Sequence, residues 1–428
     1  MANRRRNFRR RFSYVLEKQN KYFKIAFIVL GIAIVFLATL FGYKAYSNSV
    51  KKSELLSQKE ESKNEMDSIF QRADDAVSSV DDYKTDTIIR FSIAGLIDPT
   101  NLEKLITEDN IKTKEADPFE EEEETTNDNF NSLQNVEEYL NNSDFTIANY
   151  KITSSRNELL EDQVKSVGVN VLNLADNSDE KIASFSKAMG EKNMQTIGNT
   201  YEKEGSSGRV NIVEKKGISI AFIGYTSNGT SSKNAYSEEN AKQDLEYAKD
   251  NAEVIVVMMN WKNTQDEPTK TQKEQAQFLA DNGANLIIGN NQNNVQNMEI
   301  IKGKDDKDCF VAYSLGNLLS STNTEKNKSG LILQVQMLVD KDGNTAVNRV
   351  DYNSTYILKD ASTINTVNLK NEILQYEENE NESRGNETNA IGKSAVETEN
   401  LNGIEISKET YNKMKTALAR IEKIIKGE

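Results

Sequence analysis

Residues 25–43 run nineteen positions, mostly apolar, without a charge, and a membrane-length helix is the first element the pattern predicts. At about 1.5 Å per residue such a helix is roughly 28 Å long, about one bilayer core. Val50–Asp82 is polar but carries Met66, Ile69/Phe70, Ala73, Val77 and Val80 at three- and four-residue spacing, a single helical stripe. Residues 44–85 are therefore expected to form a stalk helix, packed on the globular part or paired with another chain.

From Thr87 the pattern turns to alternating short β-branched runs and helical stripes. Strands are expected at Thr87–Ala94, Phe145–Ala148, Val169–Leu174, Gln195–Gly198, Val254–Met259 and Leu286–Gly289. Helices are expected at Glu158–Val167, Glu180–Met189, Glu238–Asp250 and Lys270–Asn282. Val210–Val213 and Ile218–Ile223 read as an antiparallel pair turned at Glu214–Gly217. Met298–Ile301, Phe310–Ser314 and Leu331–Val339 then follow as strands with little helix between them. Repeated βα units followed by successive strands imply a mixed α/β domain over 86–361. The unbroken apolar run Val254–Met259 marks a central strand. In such folds functional loops lie at the carboxyl ends of strands.

Charge sharpens the N-terminal picture. Nine Lys or Arg against one acid, Glu17, give residues 1–24 a charge of +8, so the rest must carry −22 to reach the net −14. The basic arm is expected to stay cytoplasmic, with the remainder exported as a single-pass cell-membrane protein with an extracellular C-terminal domain. The apolar run is too long for an ordinary signal peptide, and Phe41–Tyr46 offers no small-x-small cleavage site. The acidic exported part argues against nucleic acid as a partner. Glu120–Glu124, five acids in a row, cannot be a buried element. Residues 362–400 are Asn- and Glu-rich and are expected as a flexible linker, with a helix over 401–428 that docks on the core or binds a partner. The lone Cys309 lies in an apolar run and reads as a core residue.

The chain has no histidine. That removes the commonest metal ligand and the usual acid/base group near neutral pH. The strand-end loops nevertheless have specific wording. They read Phe91-Ser92-Ile93-Ala94-Gly95-Leu96, Ala148-Asn149-Tyr150-Lys151, Leu174-Ala175-Asp176-Asn177-Ser178 and Met259-Asn260-Trp261-Lys262. Gly283-Ala284-Asn285-Leu286-Ile287-Ile288-Gly289-Asn290-Asn291-Gln292-Asn293-Asn294-Val295-Gln296 and Tyr313-Ser314-Leu315-Gly316-Asn317 complete the set.

In order and spacing these resemble the bacterial capsule-synthesis CapA family, associated with poly-γ-glutamate capsules, over roughly residues 86–340. That family's motifs read approximately GD, ANLE, ANNH, HWG, GADxIIGHHPHxxQ and YSLGNF. The resemblance implies a metallophosphoesterase-like two-sheet sandwich flanked by helices. It also implies a site at Asn149, Lys151, Asp176, Asn177, Ser178, Asn260, Trp261, Asn290, Asn291, Asn293 and Asn317. Against the family pattern, Leu96 replaces an Asp, Lys151 aligns with a Glu, and Ser178, Asn260, Asn290, Asn291 and Asn293 stand where the family has His. The anionic groups left at these loops are Asp176 and Asp179. A dinuclear metal site needs several imidazole and carboxylate ligands, so no cofactor is expected, and a lone Ca²⁺ or Mg²⁺ on Asn and Asp oxygens is the alternative.

Two functions follow as expectations. One is a catalytically deficient anchored protein supporting synthesis or export of a surface polymer. It would bind an anionic polymer or glycan and work beside capsule-synthase membrane subunits, with Trp261 as a stacking surface. The other is a divalent-metal-dependent hydrolase or transferase built on Asp176 and the Asn cluster.

Overall fold

The computed structural model describes residues 86–106, 131–198, 208–227, 233–261, 265–290, 293–304, 306–361, 363–387 and 406–427. Two sheets carry the fold. In the first, Thr87–Asp98 (β1), Phe145–Tyr150 (β2), Val171–Asn173 (β3) and Gln195–Ile197 (β4) run parallel as successive neighbours. In the second, the hairpin Val210–Lys215 (β5) and Ile218–Thr226 (β6) is joined in parallel by Val254–Asn260 (β7) and Leu286–Asn290 (β8). Met298–Lys302 (β9) and Asp308–Ala312 (β10) complete it, with β10 against β8 and β9 at the edge. The chain then returns to the first sheet. Asn317–Ser320 (β11) lies parallel to the end of β1, while Ser329–Val339 (β12), Thr345–Lys359 (β13) and Ile364–Asn368 (β14) extend the sheet as an antiparallel meander.

Seven helices flank the sheets among the described residues: Glu137–Leu140 (α1), Glu158–Ser166 (α2), Asp179–Glu191 (α3), Glu238–Asn251 (α4), Lys270–Asp281 (α5), Leu369–Glu387 (α6) and Lys408–Lys426 (α7). Side-chain alternation along β1 explains the layering. Ile89, Phe91 and Ile93 point between the sheets, where they meet Phe145, Phe222, Val254, Val256 and Leu286. Phe145 sits at the centre of this layer, 5.7 Å from the Phe91 ring and 5.2 Å from Phe222. The opposite face of the first sheet buries Ala94, Ala148 and Leu172 under Leu160, Val164, Ile182 and Phe185. On the outer face of the second sheet, Ala221, Ile223 and Val257 are covered by Ala241, Leu245, Ala276 and Leu279. The predicted central strand is central: β7 is buried at all seven positions. Cys309 is buried in β10, and burial pushes its thiol up.

Several expectations change. β1 does not stop at Gly95 but continues to Asp98, because it changes partner there: β12 pairs Thr87–Ala94 and β11 takes over at Leu96–Asp98. A Cβ on Gly95 would lie 2.3 Å from the Gly316 carbonyl oxygen, so only glycine lets the two backbones pass. The expected flexible linker over 362–400 is incorrect as far as Glu387. Ile364–Asn368 is a fully buried strand, and residues 369–387 are helical. The hydrophobic anchors Leu369 and Ile373, masked by polar composition, hold that helix to Tyr356 and Val367.

The C-terminal helix is observed as α7 and docks on the core. Met414 and Ala417 join Tyr356, Val367 and Ile373, while Ile421 enters the layer between the sheets. Segments 1–24, 25–43 and 44–85 and the acidic run 120–124 lie outside the described residues. Among those that are described, no helix is long and apolar enough to cross a membrane.

Candidate functional site

The carboxyl ends of the parallel strands carry a set of buried amides. Asn149 is the penultimate residue of β2, and Asn173 ends β3 in the register position beside it. The Asn173 side chain donates to Asn149 Oδ1 at 2.7 Å and accepts from the Ala175 N–H at 3.2 Å. Asn149 Nδ2 is buried and has no hydrogen-bond partner among the described residues. In the second sheet, Asn260 and Asn290 end β7 and β8 as register partners, 4% and 1% exposed. Asn260 Nδ2 reaches the Tyr225 carbonyl at 3.4 Å. Asn317 opens β11, donates to the Asn327 carbonyl at 2.8 Å, and keeps a buried Oδ1 with no hydrogen-bond partner among the described residues.

The loop after β3 connects the two sheets. Asp176 accepts from Thr226 Oγ1 at 2.8 Å, so the end of β6 is tied to the first sheet. Asn177 is a backbone staple: its side-chain carbonyl accepts from Ile152 N–H at 2.7 Å, and its amide donates to the Tyr150 and Leu174 carbonyls, both at 2.9 Å. Ser178 occupies the N-cap of α3 without a side-chain capping bond. Asp179, beside it, accepts from the Lys233 backbone N–H at 3.3 Å.

Lys151 lies on the rim, half exposed, in an ion pair with Asp98 at 2.9 Å. An exposed pair of this kind contributes about 0–1 kcal/mol. Asn293 is exposed and left-handed, with φ of 55°. Asn291 and Lys262 lie outside the described residues.

Trp261 departs from expectation. It is 2% exposed, its indole donates to Gln275 Oε1 at 2.6 Å, and its ring lies 5.8 Å from Tyr313. It is a packing residue under β8 and not a stacking surface. A Cβ on Gly289 would come within 2.5 Å of that ring and 2.0 Å of the Tyr313 carbonyl oxygen. The Gly289 position is therefore set by Trp261 and Tyr313.

The structure also adds residues that the sequence left unmarked. Asn173 becomes visible only through its register with Asn149, and Thr226 only through the cross-sheet bond to Asp176. Asp98 was hidden by the expected early end of β1. Beneath the Asn-rich loop, Gln272 donates to Gln296 Oε1 at 2.9 Å, and Gln296 donates to the Gln265 and Glu267 carbonyls. This amide chain fixes the loop to the start of α5. Among the described residues, no three His, Cys, Asp or Glu side chains converge.

The family described as bacterial capsule synthesis protein PGA_cap matches residues 112–322, a span that includes β2 to β11 and nearly all of these loops. Two curated relatives are both called CapA: PGA biosynthesis protein CapA of Bacillus subtilis (strain 168), 22% identical over 251 residues, and capsule biosynthesis protein CapA of Bacillus anthracis, 25% identical over 253 residues. The chain belongs to this capsule-synthesis family. The matched parts cover 51% and 50% of this chain and 64% and 59% of the relatives, so this CapA-family chain spans about six-tenths of the length of the curated proteins it matches. Two solved structures are also similar: a hypothetical protein from Thermus thermophilus, with a TM-score of 0.39, and a novel phosphatase from Mycoplasma pneumoniae, with 0.41, each 9% identical. They cover 62% and 63% of this chain and 98% and 94% of their own. Similarity at that level says nothing about the CapA-family site's chemistry.

Proposed function

We propose that this CapA-family protein is a non-catalytic, membrane-anchored component of surface-polymer synthesis or export, with poly-γ-glutamate as the first polymer to test. The observation that carries the proposal is the fate of the strand-end amides. Asn149 and Asn173 bond to each other, Asn177 is consumed by three backbone groups, and Asp176 is held by Thr226. A metal pair about 3.5–4 Å apart needs several anionic or imidazole ligands around it. Neutral amide oxygens are weak ligands suited at best to a hard cation. The donor set does not fit the dinuclear centre of a metallophosphoesterase-like ancestor.

What remains is a scaffold whose rim offers Lys151 and Asn293 to a polymer. The uncharged segment 25–43 would keep the domain at the outer face of the cell membrane, beside the membrane subunits of a capsule synthase. Metal content tests the proposal directly. The full-length protein, purified in detergent and exposed in turn to Mn²⁺, Zn²⁺ and Ca²⁺, is expected to retain no stoichiometric metal after desalting. One or two equivalents held tightly, and lost in Asp176→Ala, would instead support a metal-dependent hydrolase. Protease sensitivity of the domain in intact cells tests the topology.

A further inference from the structure

A second polar site lies on the outer face of the first sheet, at the opposite end of β1. Arg90 and Asp98 are eight residues apart on that strand, roughly 26 Å at 3.3 Å per residue, so this face is well separated from the strand-end amides. The side chains opposite Ile89, Phe91 and Ile93 point away from the intersheet layer. Ser92 and Gln334 are register partners, and both donate to the Tyr139 carbonyl at the end of the helical cover. The next row, Arg90–Gln336–Arg349, crosses three strands directly in register and lies past that cover. A cleft of about 210 Å³ opens over it, walled on one side by Asn142.

Three features make this row more than an ordinary polar face. A bulge between Gln336 and Met337 shifts the β12–β13 register at Arg349, the local device by which strands re-aim a side chain. Arg349 is already paired with Asp351, whereas the Arg90 side chain is exposed and forms no ion pair among the described residues. The neighbouring Asp144 does not neutralise it, because its carboxylate takes the Arg90 backbone N–H and the Lys216 ammonium at 2.7 Å. The cleft thus keeps a net positive charge in a protein of net charge −14.

We infer that this cleft is a second binding site, for a carboxylate-bearing chain with peptide-like amides. The guanidinium forks match carboxylates bidentately. Gln336, half-buried between them, supplies an amide that can both donate and accept. The volume is below the roughly 300–1,000 Å³ of an enclosed small-molecule pocket, which suits a short stretch of a longer chain crossing the sheet face. The inference is independent of whether the strand-end loops touch polymer.

The test uses the full-length protein in detergent and a fluorescein-labelled hexaglutamate peptide, followed by anisotropy at low salt. Binding is expected to weaken about tenfold or more in Arg90→Gln and less in Arg90→Lys, with the melting temperature unchanged because the side chain is exposed. Loss of binding in Lys151→Gln with full retention in Arg90→Gln would move the ligand to the strand-end loops, sinking the cleft and leaving the proposed function intact. No binding by the unaltered protein, or displacement of the peptide by an equal concentration of inorganic phosphate, would also overturn it.

Discussion

Asn173 donates its side-chain N–H to Asn149 Oδ1 at 2.7 Å, fastening the carboxyl ends of two neighbouring parallel strands to each other. Both side chains are 2% exposed, so water cannot replace the bond. Removing it strands a buried acceptor on Asn149, whose own amide already has no hydrogen-bond partner among the described residues. It also frees the Ala175 N–H.

Asn173→Ala is accordingly expected to cost about 2–4 kcal/mol, the penalty of one or two buried polar groups left unpaired. Denaturant titration of the purified protein measures it. A loss below about 0.5 kcal/mol, the level of an ordinary surface change, would mean that the amide pair is incidental and that these positions are not committed to structure.

Trp261 is the chain's only tryptophan, which makes its burial directly measurable. Its fluorescence should resist quenching by iodide in the native protein and should not respond to polymer, because Gln275, Tyr313 and Gly289 enclose the ring. Trp261→Ala should cost about 3–5 kcal/mol. Quenching as efficient as that of free tryptophan would return Trp261 to the surface and restore its reading as a stacking platform.

Glu372 lies in the first turn of α6, 4% exposed, and burial raises its carboxyl above the ordinary value. A raised acid is protonated more readily in the folded state than in the unfolded one, so the folded protein holds the extra proton between the two values. Stability therefore falls as pH rises through that window, and below it the penalty is absent. Glu372→Gln should raise the melting temperature at neutral pH and leave it unchanged below about pH 4, where ordinary glutamate is already protonated. Equal melting curves at neutral pH would show that the carboxylate is solvated.

Much of the architecture was legible because period-2 and helical patterns are local. The βα units from Phe145 to Gly289 were found in order, with ends that shift by one to three residues. What failed was non-local. Thr345–Lys359 is assigned no element from sequence, because Ala346, Val347, Val350 and Tyr352 keep no regular alternation with the polar residues between them, and it becomes a strand by pairing with β12. Ile364–Asn368 is buried although two of its five residues are Asn, since its neighbours and not its own composition decide its place. At the candidate site, the glycines and motif order marked loops that the structure places at strand ends. They did not disclose that Asn177 is a backbone staple or that Trp261 faces inward, because those roles depend on partners far away in the chain.

The insertion of Ile421 between the sheets has a kinetic consequence. The same layer contains Ile89, more than three hundred residues earlier, and β1 also needs β11 and β12 as partners. Contacts this distant in sequence are slow to form, since each must first close a long loop. The newly made domain cannot seal its centre until α7 has emerged. Until β11 and β12 have emerged, the exposed edge of β1 is the segment most in need of protection from association with other chains.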